Sequence, residues 1–207
     1  MLIARQGVPW VASTVLAAVF VHKLLGLTSA VPLWVLAFLL VMMYRDPERN
    51  TPADPLGVIS PADGHVISVD ECHDPFLNRP AKRIRIKGAW FAAWSARSPT
   101  EGQLIQYWFG APETARDYPT PNPIRHVLHL RTDEGDDVIM LIAPPWKFGR
   151  GLCSVQTGER IGQGRRCGVL PMRAMVDILM ADDSFTTVAE GDWVYAGETV
   201  IARLRNA

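Results

Sequence analysis

A nearly uncharged apolar stretch at the N-terminus constrains this chain more than any other feature of its sequence. Between Val8 and Tyr44 the only ionisable side chains are those of His22, Lys23 and Tyr44 itself. The two apolar runs that flank the His22–Lys23 pair are each close to the ~20 residues that an upright membrane helix needs. The sequence therefore predicts two apolar helices, joined by a turn near His22, at the start of the chain.

Positive charges flank this stretch at both outer ends, with Arg5 before it and Arg45 and Arg49 after it. Because cytoplasmic flanks of membrane segments are enriched in Lys and Arg, we expect a cell-membrane protein whose soluble domain faces the cytoplasm. A hairpin that spans the bilayer and a re-entrant hairpin in one leaflet both fit. A cleaved signal peptide fits poorly, because no small-x-small site ends the first run and a second apolar run follows at once.

The segment 45–52 is polar and carries two prolines, as a domain boundary does. It divides the chain into a helical hairpin over residues 1–45 and a soluble domain over residues 46–207. Beyond it, short apolar runs bounded by Gly, Pro and Asp predict β-strands. The expected strands are Gly57–Ser60, His65–Val69, Arg83–Ile86, Leu104–Trp108, His126–Leu130, Val138–Ile142 and Thr199–Leu204.

Two loops of the soluble domain resemble each other. Residues 158–164 and 191–197 both have the form Gly-acid-x-apolar-x-x-Gly, which suits a tight loop between two short strands. Biotinyl-like and lipoyl-like barrel-sandwich domains contain the same loop type, whose glycines supply turn conformations. We therefore predict a mainly β, barrel-sandwich-like domain preceded by the apolar helical hairpin; two unrelated hairpins are the alternative.

Composition excludes several classes of function. The formal net charge is zero, with 21 basic and 21 acidic residues, so nothing favours nucleic acid as a partner. The three cysteines, Cys72, Cys153 and Cys167, are too few and too irregular for a disulfide framework, and no Cys-x-x-Cys pair suggests zinc. Cys72, His73 and Asp74 are expected in a solvated loop rather than in a metal site, so we predict no metal.

Four blocks of sequence resemble the phosphatidylserine decarboxylase family, in particular its short bacterial and archaeal-type members. In chain order they are Arg45-Asp46-Pro47-x-Arg49, Ser60-Pro61-Ala62-Asp63-Gly64, the segment 92–102, and the segments 158–177 and 190–202. Together they cover essentially the whole chain in the family's order and spacing. The second block matches the family's Ser-Pro-Ala-Asp-Gly motif without a change.

The resemblance implies a particular chemistry. Family members cut themselves at a Gly-Ser pair, and the serine becomes a pyruvoyl group that accepts electrons during decarboxylation. An Asp of the second block and a His of the third assist that serine. Carried over, Asp63 is present, Trp94 has the position of the His, and Arg173 and Ala174 have the positions of Gly-Ser. No Gly-Ser dipeptide occurs in the sequence, so we expect neither a pyruvoyl group nor another cofactor.

The sequence therefore favours a non-cleaving pseudoenzyme of phospholipid metabolism that binds the headgroup of phosphatidylserine or a related membrane phospholipid. Asp63 then has the alternative role of an ordinary turn residue before Gly64. Arginine suits phosphate and carboxylate groups. The candidate lipid contacts, if they converge on the former pocket, are Arg97, Lys147, Arg150 and Arg173.

Two other functions remain open. One is an active decarboxylase that makes phosphatidylethanolamine with an unrecognised nucleophile, for which the nearest side chains are Cys167, Ser184 and Thr186. The other is a scaffold for a lipid-synthesis enzyme, whose protein partner is an active homologous decarboxylase or a second copy of this chain. The aromatic cluster of Trp90, Phe91 and Trp94 fits either a lipid interface or an ordinary β core.

Overall fold

A computed structural model describes residues 3–4, 6–115, 118–120, 122–124, 126–145 and 155–205. The chain forms two compact units, Met1–Glu48 and Arg49–Ala207.

The first unit is the predicted helical hairpin, with helices α1 (Val8–Leu25) and α2 (Leu27–Met43). Pro9 lies in the first turn of α1, where a helix loses no internal hydrogen bond by lacking an N–H. Gly26 joins the helices with φ of +83°, a conformation that glycine adopts without steric cost. At the open end, the N–H of Ala4 donates to the carbonyl of Tyr44 at 2.9 Å.

The helices present large apolar side chains outward. Leu16, Phe20 and Leu25 are 71%, 65% and 68% exposed, although they belong to the most apolar part of the chain. By length and composition α1 is able to cross a membrane, and α2 is a shorter apolar helix. Such a large exposed apolar surface is unusual for a helix pair surrounded by water.

The second unit is built mainly from β-strands. Its strands are β1 (Gly57–Ile59), β2 (Gly64–Asp74), β3 (Arg79–Gly88), β4 (Ser95–Arg97), β5 (Gly102–Phe109), β6 (His126–Arg131), β7 (Asp137–Ala143), β8 (Arg160–Ile161), β9 (Arg166–Val169), β10 (Met175–Ala181), β11 (Phe185–Thr186), β12 (Trp193–Val194) and β13 (Val200–Arg203). A short 3-10 turn, Glu113–Ala115, follows β5.

A curled, eight-stranded sheet has the order β12-β2-β3-β10-β7-β6-β5-β8. A three-stranded sheet, β1-β13-β11, and a two-stranded sheet, β4-β9, complete the unit. All described strand pairs are antiparallel. The mainly β, barrel-sandwich-like fold is thus confirmed, and each predicted strand coincides with an observed one.

The main core contains side chains from all three sheets, including Val58 of β1, Ala96 of β4 and Ile178 of β10. A smaller apolar cluster, which includes Leu141 and Leu179, covers the other face of the large sheet. The central strands of the large sheet have apolar side chains on both faces. Two of them, β7 and β10, are therefore buried along almost their whole length.

The prediction of a solvated loop at Cys72, His73 and Asp74 was wrong. These residues form the end of β2, where Cys72 pairs with Ala81 of β3. Asp74 is buried and accepts the N–H of Phe76 at 2.8 Å, so it caps the turn into β3. The polar composition reflects a turn-capping role rather than a lack of strand structure.

The glycines that open and close the two similar loops have matching φ angles. Gly158 and Gly191, the first glycines, have φ of +89° and +93°, and the closing Gly164 and Gly197 have φ of +72° and +75°. Each loop contains a two-residue strand, β8 or β12. The resemblance between the two loops therefore extends from their sequences to the φ angles of these glycines.

The closing glycines bind two similar motifs, Ser60-Pro-Ala-Asp-Gly and Ser98-Pro-Thr-Glu-Gly. The N–H of Gly197 donates to the carbonyl of Ser60 at 2.8 Å, and that of Gly164 donates to the carbonyl of Ser98 at 3.0 Å. The first motif therefore belongs with the loop 191–197, and the second with the loop 158–164.

The two motifs also contact each other reciprocally. The residue before Ser60 donates to the carbonyl of Pro99, and the residue before Ser98 donates to the carbonyl of Pro61, at 2.9 and 3.1 Å. Such an exchange, in which i contacts j and the equivalent of j contacts the equivalent of i, is the pattern of a two-fold relation.

Candidate functional site

Asp63, in the loop between β1 and β2, is 2% exposed and has well-placed donors around its carboxylate. Arg49 Nη2 lies 3.0 Å from Oδ2. The N–H of Ala93 donates to Oδ2 at 2.9 Å, and the N–H of Ala196 donates to Oδ1 at 2.7 Å. Hydrogen bonds to an ionised carboxylate are among the stronger ones in proteins, so Asp63 ties together three distant segments of the chain.

Trp94 follows one of these donors directly. Its side chain is 8% exposed, and its carbonyl accepts the N–H of Leu170 at 2.7 Å. This bond lies where β9 ends and the turn that leads to β10 begins. Trp94 therefore connects the Asp63 loop with the segment that carries Arg173 and Ala174.

The Arg173–Ala174 turn precedes β10. Ala174 is completely buried, its N–H donates to the carbonyl of Pro171 at 3.1 Å, and its carbonyl accepts the N–H of Gly88 at 2.9 Å. Arg173 has φ of +57°, in the left-handed region. That conformation costs a non-glycine residue roughly 1–2 kcal/mol, so the backbone here is one that glycine adopts more readily.

A single residue, Ala89, links the two loops. Its N–H donates to the carbonyl of Asp63 at 3.1 Å, and its carbonyl accepts the N–H of Arg173 at 3.3 Å. Backbone hydrogen bonds thus bring Asp63, Trp94 and the Arg173–Ala174 turn into one neighbourhood.

The side chain of Arg173 turns toward an exposed aromatic pair. Its guanidinium lies 4.7 Å from the ring centroid of Trp90, a cation–π distance. Trp90 and Phe91 are 55% and 62% exposed, whereas Trp94 is buried. The aromatic cluster of the sequence is therefore divided: Trp94 packs inside, while Trp90 and Phe91 form an apolar surface beside Arg173.

Arg97 lies in different surroundings. It lines an open cavity of about 430 Å³, here called the arginine cavity, whose lining residues are Arg49, Thr51, Arg97, Gln163, Gly164, Arg165 and Arg166. The side chain of Arg97 is almost wholly buried, and its Nη1 donates to the carbonyl of Gly164 at 3.0 Å. Arg173 is not among the lining residues. Lys147 and Arg150 lie outside the described residues.

Sequence reasoning missed three members of the arginine cavity. The sequence indicated Arg49 only as a flanking charge and as a motif residue, and it did not indicate Arg165 or Arg166 as binding residues. The available signal was the pair of arginines directly after the closing Gly164 of a repeated loop. Gly164 itself lies so close to Thr51 that a Cβ at this position would clash with the Thr51 side chain.

A polar network holds the strand that follows Ala174. Asp177 of β10 accepts two hydrogen bonds from Arg85, at 2.8 and 2.7 Å, and one from the hydroxyl of Tyr118 at 3.0 Å. Burial and the adjacent Asp177 carboxylate raise the pKa of the Tyr118 hydroxyl well above its usual range. This network fixes β10 in the sheet but does not reach the Arg173–Ala174 turn.

The described part of the chain contains no group of three or more His, Cys, Asp or Glu side chains arranged to hold a metal ion. His126 and His129 bind separate protein groups. The ring of His126 bonds to the hydroxyl of Tyr107, and Nε2 of His129 lies 2.7 Å from Asp137 Oδ1.

Two comparisons of the sequence with known proteins point to one family. The model of the family described as phosphatidylserine decarboxylase matches residues 36–202. A phosphatidylserine decarboxylase proenzyme of Aromatoleum aromaticum is 32% identical over 206 residues, covering 98% of this chain and 96% of its own. Proteins of the same name from Burkholderia vietnamiensis and Burkholderia multivorans are each 34% identical with the same coverage. No solved structure matches. This chain belongs to the phosphatidylserine decarboxylase family.

Proposed function

We propose that this protein is a non-cleaving member of the family, which remains one polypeptide and binds a phospholipid headgroup at a membrane surface. The related proteins are named proenzymes, a name that refers to a precursor. In this chain the corresponding turn carries Arg173 and Ala174.

Ala174 is the observation that carries the proposal. Self-cleavage needs a hydroxyl oxygen that attacks the preceding carbonyl to form an ester, and that then leaves with the upstream fragment as part of its new C-terminal carboxylate. The Ala174 side chain is a methyl group, buried at the beginning of β10. It has no oxygen to attack with, so the residues at this turn do not fit the formation of a pyruvoyl group.

The nearest alternative nucleophiles are held elsewhere. The thiol of Cys167 is buried in β9, where it contacts the carbonyl of Ala96 at 3.4 Å. Ser184 is buried in the turn between β10 and β11. Neither lies next to the Arg173–Ala174 peptide in sequence, and neither follows a glycine. For either residue to act as the nucleophile, its side chain would have to be positioned to attack a different peptide bond.

The surroundings of Asp63 also support this proposal. A carboxylate that assists a nucleophile orients a base, as in a Ser-His-Asp triad. Asp63 instead contacts the guanidinium of Arg49 and the N–H groups of Ala93 and Ala196. Trp94 offers an indole N–H, which donates hydrogen bonds but does not accept a proton. The site is thus suited to holding loops together rather than to moving protons.

Lipid binding is supported by what lies beside this turn. Trp90 and Phe91 are exposed, and Arg173 places a cation next to them. Aromatic rings prefer the headgroup level of a bilayer, and guanidinium groups pair with phosphate. The exposed apolar side chains of α1 favour membrane association of the same chain.

Flotation with vesicles tests the binding. The purified chain, stripped of native lipid, is mixed with phosphatidylcholine vesicles that contain or lack phosphatidylserine. Because the hydrophobic hairpin itself favours vesicles, the informative readout is the difference between the two vesicle types. We expect preference for the phosphatidylserine vesicles, and its loss in the Arg173→Gly and Trp90→Ala variants.

The matched control is Phe185→Ala, which removes another exposed aromatic ring, 64% exposed, from β11. It should leave the preference unchanged. Equal flotation of the wild-type chain with both vesicle types, or equal loss in the control, would contradict headgroup binding at Arg173 and Trp90.

A further inference from the structure

We infer that the second unit, Arg49–Ala207 and here called the β unit, has a further membrane-contact surface that enters the headgroup layer of a bilayer. This Trp193 surface consists of His65, Lys87, Trp193 and Tyr195. The inference rests on the proposed function only in taking the protein to be at a membrane. It adds a contact made by aromatic side chains, which does not depend on the charge of the headgroup.

Strand pairing places three of these side chains in one row across the large sheet. Trp193 of β12 pairs with His65 of β2, and His65 pairs with Lys87 of β3. Residues directly opposite each other in antiparallel strands share a face of the sheet. The rings of Trp193 and His65 are in T-shaped contact, with their centroids 4.6 Å apart.

The row faces away from the main core. Each of its three residues has an immediate chain neighbour in that core, namely Val194, Val66 and Ile86, and these neighbours are at most 1% exposed. Because successive side chains of a strand point to opposite faces, the three residues of the row point outward. All three are exposed.

Tyr195 extends the row into the loop after β12. Its ring is in T-shaped contact with that of Trp193, with centroids 6.1 Å apart, and the two side chains are 46% and 41% exposed. Ring contacts therefore run without a break from His65 through Trp193 to Tyr195. Single exposed aromatic residues are ordinary on protein surfaces, but a contiguous exposed set indicates an interaction site.

The residue types of this surface fit the headgroup layer. Tryptophan and tyrosine combine an apolar ring with one polar N–H or O–H group, and they are enriched where a membrane meets water. Lys87 suits the same layer, because a lysine side chain lies along apolar groups by its stem and keeps its ammonium group in water.

Charge is not the main contribution at this surface. The loop before Trp193 carries two exposed carboxylates, Glu190 and Asp192, which offset the charge of Lys87. Asp192 also accepts the N–H of Ala189 at 2.8 Å. We therefore expect the Trp193 surface to enter zwitterionic and anionic bilayers alike, in contrast to the headgroup preference proposed for Arg173.

The short connection to the apolar helices is a further argument for a bilayer. Helix α2 ends at Met43, and the β unit begins at Arg49, whose guanidinium lies 5.5 Å from the ring centroid of Tyr195. An extended chain advances at most about 3.6 Å per residue. A bilayer that holds the helices would therefore be within reach of the residue that packs on Tyr195.

Quenching of tryptophan fluorescence by brominated lipids tests the inference. The full chain is reconstituted in phosphatidylcholine vesicles whose acyl chains carry bromine either near the carbonyl end or near the methyl end. Subtracting the emission of Trp193→Phe from that of the wild type isolates the emission of Trp193. We expect this emission to be quenched, and more strongly by the bromine near the carbonyl end, because the surface enters only the headgroup layer.

Trp108→Phe is the matched control. Trp108 belongs to β5, near the opposite edge of the large sheet from β12, and packs against Phe76 with ring centroids 5.8 Å apart. Its emission, isolated in the same way, should not be quenched by either bromine. Absence of bromine quenching of Trp193, or equal quenching of Trp193 and Trp108, would overturn the inference.

Acrylamide, a water-soluble quencher, distinguishes a bilayer from a protein partner. We expect Trp193 to be shielded from acrylamide in vesicles and accessible to it in detergent. Shielding from acrylamide without bromine quenching would mean that a second copy of this chain or another protein covers the surface, and would also overturn the inference.

Vesicles that contain phosphatidylserine distinguish this inference from the headgroup proposal. Quenching of Trp193 should be the same with and without phosphatidylserine, and it should persist in Arg173→Gly. Quenching confined to phosphatidylserine vesicles would overturn the inference, because the surface would then depend on headgroup charge. Equal flotation with both vesicle types, together with retained quenching of Trp193, would contradict the headgroup proposal alone.

Discussion

Arg49 Nη2 contacts both carboxylate oxygens of Asp63, at 3.0 Å from Oδ2 and 3.2 Å from Oδ1. The other terminal nitrogen of Arg49 lies 3.3 Å from Glu198. The pair is largely buried, with side-chain exposures of 12% for Arg49 and 3% for Asp63. Asp63, a residue of the Ser-Pro-Ala-Asp-Gly motif, thus belongs to a buried ion pair.

Removing Arg49 should destabilise the β unit strongly. Arg49→Ala leaves the Asp63 carboxylate buried without its cation, and we expect a loss of about 3 kcal/mol in the free energy of unfolding. Adding Asp63→Asn should recover part of that loss, since a neutral amide is cheaper to bury. Denaturant unfolding in detergent measures both.

Arg203→Ala is the control for this pair. Arg203 also bonds to an aspartate, Asp54, at 3.0 Å, but its side chain is 63% exposed. Its loss should cost less than about 1 kcal/mol. If Arg49→Ala and Arg203→Ala cost the same, the Arg49–Asp63 pair is not the buried ion pair described above.

The left-handed backbone of Arg173 predicts an unusual order of stability. Arg173→Ala loses the contact with Trp90 but keeps the unfavourable conformation, whereas Arg173→Gly relieves that conformation. The glycine variant should therefore be more stable than the alanine variant by about 1 kcal/mol. Thermal or chemical unfolding of the two variants measures the difference; an alanine variant at least as stable as the glycine variant would refute it.

If the proposed function is right, introducing the three residues that the resemblance assigns to this site should produce self-cleavage. The triple variant Trp94→His, Arg173→Gly, Ala174→Ser places a nucleophile, its preceding glycine and a base around Asp63. Because backbone bonds of Ala89 and Gly88 hold this turn independently of those side chains, we expect cleavage between positions 173 and 174, seen as two bands on a gel. Ala143→Ser, at another buried alanine, should give none. A folded but uncut triple variant would contradict this account of the turn.

Acid should weaken the sheet through Asp137, which accepts hydrogen bonds from His129 at 2.7 Å and Arg131 at 2.8 Å. Burial acts to raise the pKa of Asp137, but these bonds and charges outweigh it, so the pKa lies below its usual value of 3.8. A lowered pKa means that the stabilisation is present above pH 3.8 and is lost as pH falls through the folded-state value.

The advantage of the wild-type chain over Asp137→Asn should therefore shrink as pH falls below about 4. Unfolding free energies of both chains across this pH range give the comparison. Asp182→Asn, at an exposed aspartate, serves as the control. A constant difference between wild type and Asp137→Asn at all pH values would count against the ion pair.

The elements of this fold were largely predictable because local pattern determines them. Apolar runs interrupted only by His22 and Lys23 specify the hairpin, and alternating runs such as Arg83–Ile86 specify strands. The end of β2 was not predicted. Asp74 is buried there because it caps a turn, and the pattern of apolar and polar residues does not reveal that role.

The site was only partly predictable. The motifs singled out Asp63 and Ala174, whose roles stay predictions. The arginine cavity depends on residues more than a hundred positions apart, Arg49 and Arg165, which only the three-dimensional fold brings together. No local property of either arginine in the sequence indicates that they share one cavity.

The most direct test of the central claim is the intact mass of the purified, detergent-solubilised chain, measured beside a proenzyme relative from Burkholderia vietnamiensis. We predict a single species near 22.9 kDa that a reducing amine trap leaves unchanged. Two fragments, of which the smaller lacks a free amino terminus and gains mass in the trap, would identify a pyruvoyl enzyme and contradict the account of Ala174.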